Sequence, residues 1–183
     1  MNKFEIEIPD GKVAKWVNGV LTLVDEEPQD ITERIKTVED ACNALGDKHP
    51  LVTQYYRAVA AFKYEPMTKD LIAELKLRII CATLNEGWEP TFSKDECRYY
   101  VWLCIYTKEE YENLSNNEKK KCRVPLRSRS NADAYGGLVY AYASNAGSYS
   151  YAFSGARLAL KTKELAEYCG KQFIDIWIDF LLG

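Results

Sequence analysis

Residues 132–155, ADAYGGLVYAYASNAGSYSYAFSG, decide the fold class, because they mix strand-forming and turn-forming residues in a regular order. Residues 138–143 and 149–153 are short runs of aromatic and aliphatic residues, separated by Ser, Asn and Gly. Such runs between turn residues are typical of strands. Residues 124–127 and 157–160, on either side, have the same character. We therefore expect a small antiparallel sheet in this part of the chain.

Helical patterns flank this predicted sheet. Thr162 is a typical N-cap for a final helix, whose apolar stripe we expect to pack on the sheet. That stripe comprises Leu165, Cys169, Phe173, Ile176 and Phe180. Before the sheet, apolar residues at three- and four-residue spacing predict an amphipathic helix from Lys69 to Leu84, with Gly87 just past its end. Its predicted buried stripe comprises Leu71, Ile72, Leu75, Ile79 and Ala82.

Two shorter helices are expected before that amphipathic helix. Thr37 and Asp40 have the spacing of a capping box, and Gly46 supplies a stop. Pro50 suits the first position of the next helix, where its missing N–H costs nothing.

One strand and two helical turns are expected between the long helix and the tyrosine-rich tract. Residues 97–106 are rich in aromatic and β-branched residues, which favours a buried strand. Thr107 with Glu110 and Ser115 with Glu118 repeat the capping-box spacing and predict short helical turns.

The N-terminal segment has the pattern of a β-meander. Apolar and charged residues alternate at positions 4–8, a turn follows at residues 9–11, and Asn18-Gly19 divides the apolar run that ends at Val24. Asn-Gly is the strongest short hairpin signal, because both central residues of a type I′ turn need positive φ. We expect Trp16 to anchor this meander to the core.

Together these elements predict an α+β fold with an N-terminal β-meander, central helices and a small antiparallel sheet backed by a C-terminal helix. The 183 residues suit a single domain, with residues 1–25 as an integral part or a small appendage. A hydrophobic share of 47% and a charged share of 28% are those of an ordinary globular protein.

The sequence also predicts where in the cell the protein is found. Charges near the N-terminus are unlike a signal peptide, and Asp175 and Asp179 interrupt the most apolar C-terminal stretch, so we expect no membrane span. The six cysteines form no CxxC pair, and we expect free thiols in the cytoplasm.

The sequence offers little support for an enzyme. Its one histidine, His49, precedes Pro50 and is expected at a helix entrance, which leaves no other imidazole to activate a nucleophile. The Cys and His residues do not cluster at the short spacings that a zinc site needs. Phosphate-binding glycine motifs are absent from the sequence. We expect no cofactor and no metal. Glu89 with Asp95 or Glu96 has the chemistry for acid–base work, but spacing in a loop fixes no geometry. A hydrolase or transferase has the weakest support, which comes only from polar residues near predicted loops: Glu89, Arg127, Arg129 and Asp133.

A run of basic residues precedes the tyrosine-rich tract, and no acidic residue interrupts it before Asp133. Cations beside aromatic faces are what single-strand nucleic-acid binders use. The cations are Lys119, Lys120, Lys121, Arg123, Arg127 and Arg129, with Tyr140 or Tyr142 as stacking platforms. A net charge of −3 gives no overall attraction for nucleic acid, and packing on a sheet is the commoner use of such tyrosines.

The tract itself favours a binding surface, because Tyr, Ser, Gly and Asn dominate binding loops. Our leading hypothesis is a non-enzymatic binding or structural module that presents this surface to a protein or small ligand. Its candidate contact residues are Arg127, Arg129, Asp133, Tyr135, Tyr140 and Tyr142. The alternative is a single-stranded nucleic-acid-binding protein, with contacts from Lys119, Lys120, Lys121 and Arg123.

Five short segments, spread over nearly the whole chain, resemble an uncharacterised protein family of gut-bacterial and prophage genomes. They are residues 16–20 (WVNGV), 34–37 (RIKT), 84–90 (LNEGWEP), 136–138 (GGL) and 170–173 (GKQF). The resemblance implies a phage-associated or mobile-element context and favours an interaction protein. It supplies no catalytic residue.

Overall fold

The structure is a computed structural model, and it describes residues 6–26, 28–62, 69–91, 93, 95–120, 136–147 and 156–182. The chain divides into two compact units, residues 1–34 and 35–183. Helices and antiparallel strands occur together, so the predicted α+β class is confirmed.

The first unit contains a β-hairpin. Strands β1 (Lys12–Val17) and β2 (Val20–Asp25) pair antiparallel across Asn18 and Gly19, whose φ angles are 50° and 80°. Both angles are in the left-handed region that a type I′ turn requires, which confirms the Asn-Gly prediction. Residues 6–8 are irregular, so over the described residues the expected meander is reduced to this hairpin. A single helical turn, α1 (Ile31–Arg34), follows.

The prediction for Trp16 is wrong. Its side chain is 74% exposed, and its cross-strand partner Leu21 is 38% exposed. A two-stranded ribbon has no second layer of its own to bury such side chains, which is why isolated hairpins are marginally stable.

The second unit opens with two capped helices, α2 (Val38–Leu45) and α3 (Pro50–Ala61). The Thr37 hydroxyl accepts the Asp40 N–H at 3.1 Å, and the Asp40 carboxylate accepts the Thr37 N–H at 2.8 Å, which confirms the capping box. His49 is the N-cap of α3, where its Nδ1 accepts the Leu51 N–H at 3.3 Å. The expected place of His49 at a helix entrance is therefore confirmed.

Helix α4 (Lys69–Leu84) is the centre of this unit and has the predicted bounds, but its predicted stripe is only partly right. Leu71 is 45% exposed, whereas Leu77 and Ile80, outside the stripe, are fully buried. The reason is tertiary: α4 packs against α2 and α3 and also against two C-terminal helices, so it is buried on several sides.

A two-stranded antiparallel sheet forms from β3 (Cys97–Tyr106) and β4 (Gly136–Gly147), with Tyr106 opposite Gly136 and Cys97 opposite Gly147. The predicted strands 97–106 and 138–143 are confirmed. Strands 124–127 and 149–153 lie outside the described residues. Between β3 and β4 come the two predicted capped turns, α5 (Lys108–Asn113) and α6 (Asn116–Lys119).

The strand predicted at residues 157–160 is wrong. The chain makes a 3-10 helix, Ala156–Leu158, and then a single bridge in which Leu160 exchanges backbone hydrogen bonds of 2.9 and 3.0 Å with Tyr99. Asn85 holds this segment against the end of α4. Its amide donates to the Ala159 carbonyl at 2.8 Å, and its Oδ1 accepts the Lys161 N–H at 3.0 Å.

The final helix is broken into α7 (Lys163–Gln172) and α8 (Ile174–Leu182) at Phe173, whose φ and ψ are −110° and 29°. Helix α7 packs on β3 and β4, which confirms the predicted helix behind the sheet, and α8 packs on α4. Because of the break, Trp177 is buried at 5% exposure, whereas Ile176 of the predicted stripe is half-buried.

Two further expectations concern thiols and membranes. Five cysteines are free thiols, namely Cys42, Cys81, Cys97, Cys104 and Cys169, and Cys122 lies outside the described residues. Among the helices that the structure describes, none combines the length and the apolar character needed to cross a bilayer.

Candidate functional site

The β3–β4 ribbon carries the candidate site, and its order follows from the pleat of β3. Successive strand side chains alternate between faces, so Arg98, Tyr100 and Trp102 share one face. Along that face the side chains go from fully buried Arg98, through half-buried Tyr100, to Trp102 at 50% exposure. One strand therefore connects a buried cation to an exposed indole.

Arg98 lies entirely out of contact with solvent, at 0% exposure. Burial of a guanidinium is costly unless neighbouring groups compensate its charge, and arginines at such positions usually serve a specific structure or function. Its positive charge acts on the neighbouring phenol: burial raises the pKa of Tyr100, and the charge of Arg98 opposes that rise in part. Tyr100 is therefore neutral at physiological pH.

The Tyr100 hydroxyl is a buried polar atom, and no hydrogen-bond partner for it occurs in the structure as described. A buried hydroxyl without a partner costs stability, which makes it a group to explain. As a neutral phenol it can donate one hydrogen bond and accept others. Tyr100 lies between the buried cation and the exposed indole along this face of the strand.

The two tyrosines predicted for the site lie in β4, and the ribbon register places them opposite the middle of β3. Tyr142 is the backbone partner of Trp102, and Tyr140 is the partner of Leu103. The register shifts between Trp102 and Leu103, which marks a bulge at this point of the ribbon. Bulges occur preferentially at functional edges because they redirect a side chain.

Most other predicted contact residues lie outside the described residues: Lys121, Arg123, Arg127, Arg129, Asp133 and Tyr135. Of the basic run, Lys119 and Lys120 are described. Lys119 donates to the Glu112 carbonyl at 2.6 Å, and its ammonium lies 5.8 Å from the centre of the Tyr111 ring. Lys120 is exposed at the end of α6.

The basic run lies in the connection between β3 and β4. The chain leaves β3 at Tyr106 and re-enters β4 at Gly136, and these two residues are backbone partners. Helix α5, which starts this excursion, packs on both strands. The connection that contains the basic run therefore begins and ends at the same end of the ribbon.

The carboxylates considered for acid–base chemistry have simpler roles in the structure. Glu96 accepts the Thr91 N–H at 2.7 Å and so fixes the connection before β3. Glu89 and Asp95 are exposed. Within the described ranges, no three His, Cys, Asp or Glu side chains are grouped as metal ligands.

Arg98, Tyr100 and Trp102 are not among the predicted site residues, although all three stand in a predicted strand. The available signal was the arginine itself, since a charged residue in a strand predicted to be buried needs a specific explanation. Comparisons with protein families, with curated proteins and with solved structures found no match.

Proposed function

We propose that the chain is a non-enzymatic binding module of a phage or mobile-element system, and that it binds a protein partner on the β3–β4 ribbon. The observation that carries the proposal is Trp102, an indole at 50% exposure in the middle of a ten-residue strand. Tryptophan is enriched among the residues that dominate protein–protein binding energy. The phage or mobile-element context is supported by the family resemblance of the sequence.

The architecture suits such a role. Helix α7 packs on both β3 and β4, so the ribbon is supported by a second element of the fold. The tyrosine-rich strand β4 runs beside the exposed indole, and Tyr142 is its register partner. Tyrosine supplies broad amphipathic contact area at low entropy cost. The one histidine caps α3, which leaves it a local structural role.

The test is affinity capture from the native host with the full chain, followed by calorimetry with the purified partner. The Trp102→Ala variant should raise the Kd for the partner by about 30-fold or more, because losing a hot-spot tryptophan costs about 2 kcal/mol of binding free energy. Trp16→Ala is the matched control, because it removes a still more exposed tryptophan from the other unit. Equal binding by wild type and the Trp102 variant would refute the proposal.

The basic run supports a second candidate, a single-stranded nucleic-acid binder, because the excursion that carries it starts and ends at the ribbon. Fluorescence anisotropy of a labelled oligonucleotide at low salt tests it. Replacing Lys119, Lys120 and Lys121 with glutamine should weaken binding and flatten its salt dependence, whereas Lys48→Gln, at an exposed site in the α2–α3 connection, should not. Absence of binding at low ionic strength removes this candidate.

A further inference from the structure

A second site lies in the helical part of the molecule, on elements that the ribbon does not use. A cleft of about 310 Å³ opens between α3, α4 and α8. This volume is at the lower end of the range for small-molecule pockets, roughly 300–1,000 Å³.

Helical spacing explains the two long walls of the cleft. Helix α3 contributes Tyr55, Val59 and Phe62, which are four and three residues apart and so share one stripe. Helix α4 contributes a stripe with Lys69 at one end, Lys76 at the other and two aliphatic residues between them. Seven residues of helix separate the lysines, which is roughly 10 Å along the axis.

The charged groups of the cleft have no partner among the described residues. Within the described parts of the chain, no hydrogen bond or ion pair engages the side chains of Lys69, Lys76 or Asp179, the last of which comes from α8. Lysines elsewhere in the same unit do find carboxylates, as Lys161 does with Glu86 at 3.0 Å. Two cations and one anion leave the cleft with a net positive charge, which favours an anionic ligand.

The opposite wall is apolar and accessible. Val59 is 37% and Phe62 is 43% exposed, although both are residues that usually lose solvent contact. Tyr55 adds a phenol to the lining. Burial raises the pKa of this phenol, so it is a protonated hydrogen-bond donor at physiological pH. A ring or short aliphatic chain fits against this wall while an acidic group faces the lysines.

We propose that this cleft is a binding site for a small amphipathic anion, an aromatic or aliphatic carboxylate or sulfonate. The apolar body contacts Val59 and Phe62, and the acidic group forms ion pairs with Lys69 and Lys76. The Tyr55 hydroxyl supplies one further hydrogen-bond donor. This site goes beyond the protein-binding function proposed for the ribbon.

The experiment uses the full chain and two fluorescent probes that differ in one charged group. The first is 8-anilinonaphthalene-1-sulfonate, and the second is N-phenyl-1-naphthylamine, which lacks the sulfonate. The double variant Lys69→Gln, Lys76→Gln should weaken binding of the sulfonate probe at least tenfold and leave that of the neutral probe within twofold. Phe62→Ala should weaken both probes, because it removes the apolar wall that they share.

Lys48→Gln and Lys163→Gln, combined in one variant, form the matched control, since they remove two positive charges outside the cleft. Circular dichroism of each variant shows that its helices are intact before the titration is interpreted. Saturable binding at one site, lost as described, supports the proposal. It is overturned by non-saturable binding, by equal loss in the control, or by an unchanged affinity of the double lysine variant for the sulfonate probe.

Discussion

Replacing Asn85 with alanine should destabilise the second unit more than any comparable polar substitution on its surface. Asn85 is 7% exposed at the end of α4, and its amide spans two backbone groups of the segment that bridges to β3. One of them, the carbonyl of Ala159, belongs to a residue with 1% exposure and therefore has little access to replacement water. The side chain thus joins the central helix to the ribbon that carries the candidate site.

The magnitude follows from the two hydrogen bonds. Each contributes about 1 kcal/mol net, and a buried group left unsatisfied costs about 1–3 kcal/mol, so Asn85→Ala should lower the free energy of unfolding by about 2–4 kcal/mol. With a denaturant slope of about 2 kcal/mol per molar, the urea midpoint should fall by about 1–2 M. Far-UV circular dichroism measures it, because every helix that the structure describes, except α1, lies in the second unit.

Two further variants make the reasoning refutable. Asn117→Ala, in exposed α6, should change stability by less than about 0.5 kcal/mol. Asn85→Asp keeps the acceptor for the Lys161 N–H but places a carboxylate against the Ala159 carbonyl, which raises the pKa of the new carboxyl. Its deficit relative to wild type should be smaller at acid pH, where the protonated carboxyl can donate, and larger as pH rises. An Asn85→Ala variant as stable as Asn117→Ala would refute this account.

Three other predictions test local features. Thr37→Ala should cost about 1 kcal/mol of unfolding free energy by urea titration, through loss of the hydroxyl that caps α2; because hydrogen bonds from Thr37 and Lys36 lower the pKa of Asp40, the part of the capping box that depends on the Asp40 carboxylate should be present above the ordinary pKa of 3.8 and disappear as pH falls through the lowered value. Exposed Cys97 should react with iodoacetamide under native conditions while Cys81 reacts only on unfolding, as peptide mass spectrometry would show, because donation of the Cys81 S–H to Cys169 and burial raise the pKa of the Cys81 thiol. Gly19→Ala, at φ 80°, should weaken the hairpin by about 1 kcal/mol, which amide exchange in β1 and β2 would measure; unchanged protection there would contradict the turn assignment.

The candidate ribbon and the helical cleft were visible in the sequence to different degrees. The strands at residues 97–106 and 138–143 were predicted from their composition, and with them the placement of Tyr140 and Tyr142 in a sheet. Pairing of Trp102 with Tyr142 was not predictable, because antiparallel register depends on the whole ribbon and on its bulge. The cleft brings together residues of α3 and α4 with Asp179 of α8, which lies more than a hundred positions further along the chain.

The sequence by itself determined the features that local chemistry controls. Thr37 with Asp40, Thr107 with Glu110, and the Asn18-Gly19 turn all have the structures that their spacing predicts, since each is completed within a few residues. Only the tertiary structure decided which faces are buried. Helix α4 is enclosed on several sides by α2 and α3, which precede it, and by two C-terminal helices distant in sequence, and the break at Phe173 lets α7 cover the sheet while α8 packs on α4. Burial depends on which elements meet, and periodicity within one segment does not contain that information.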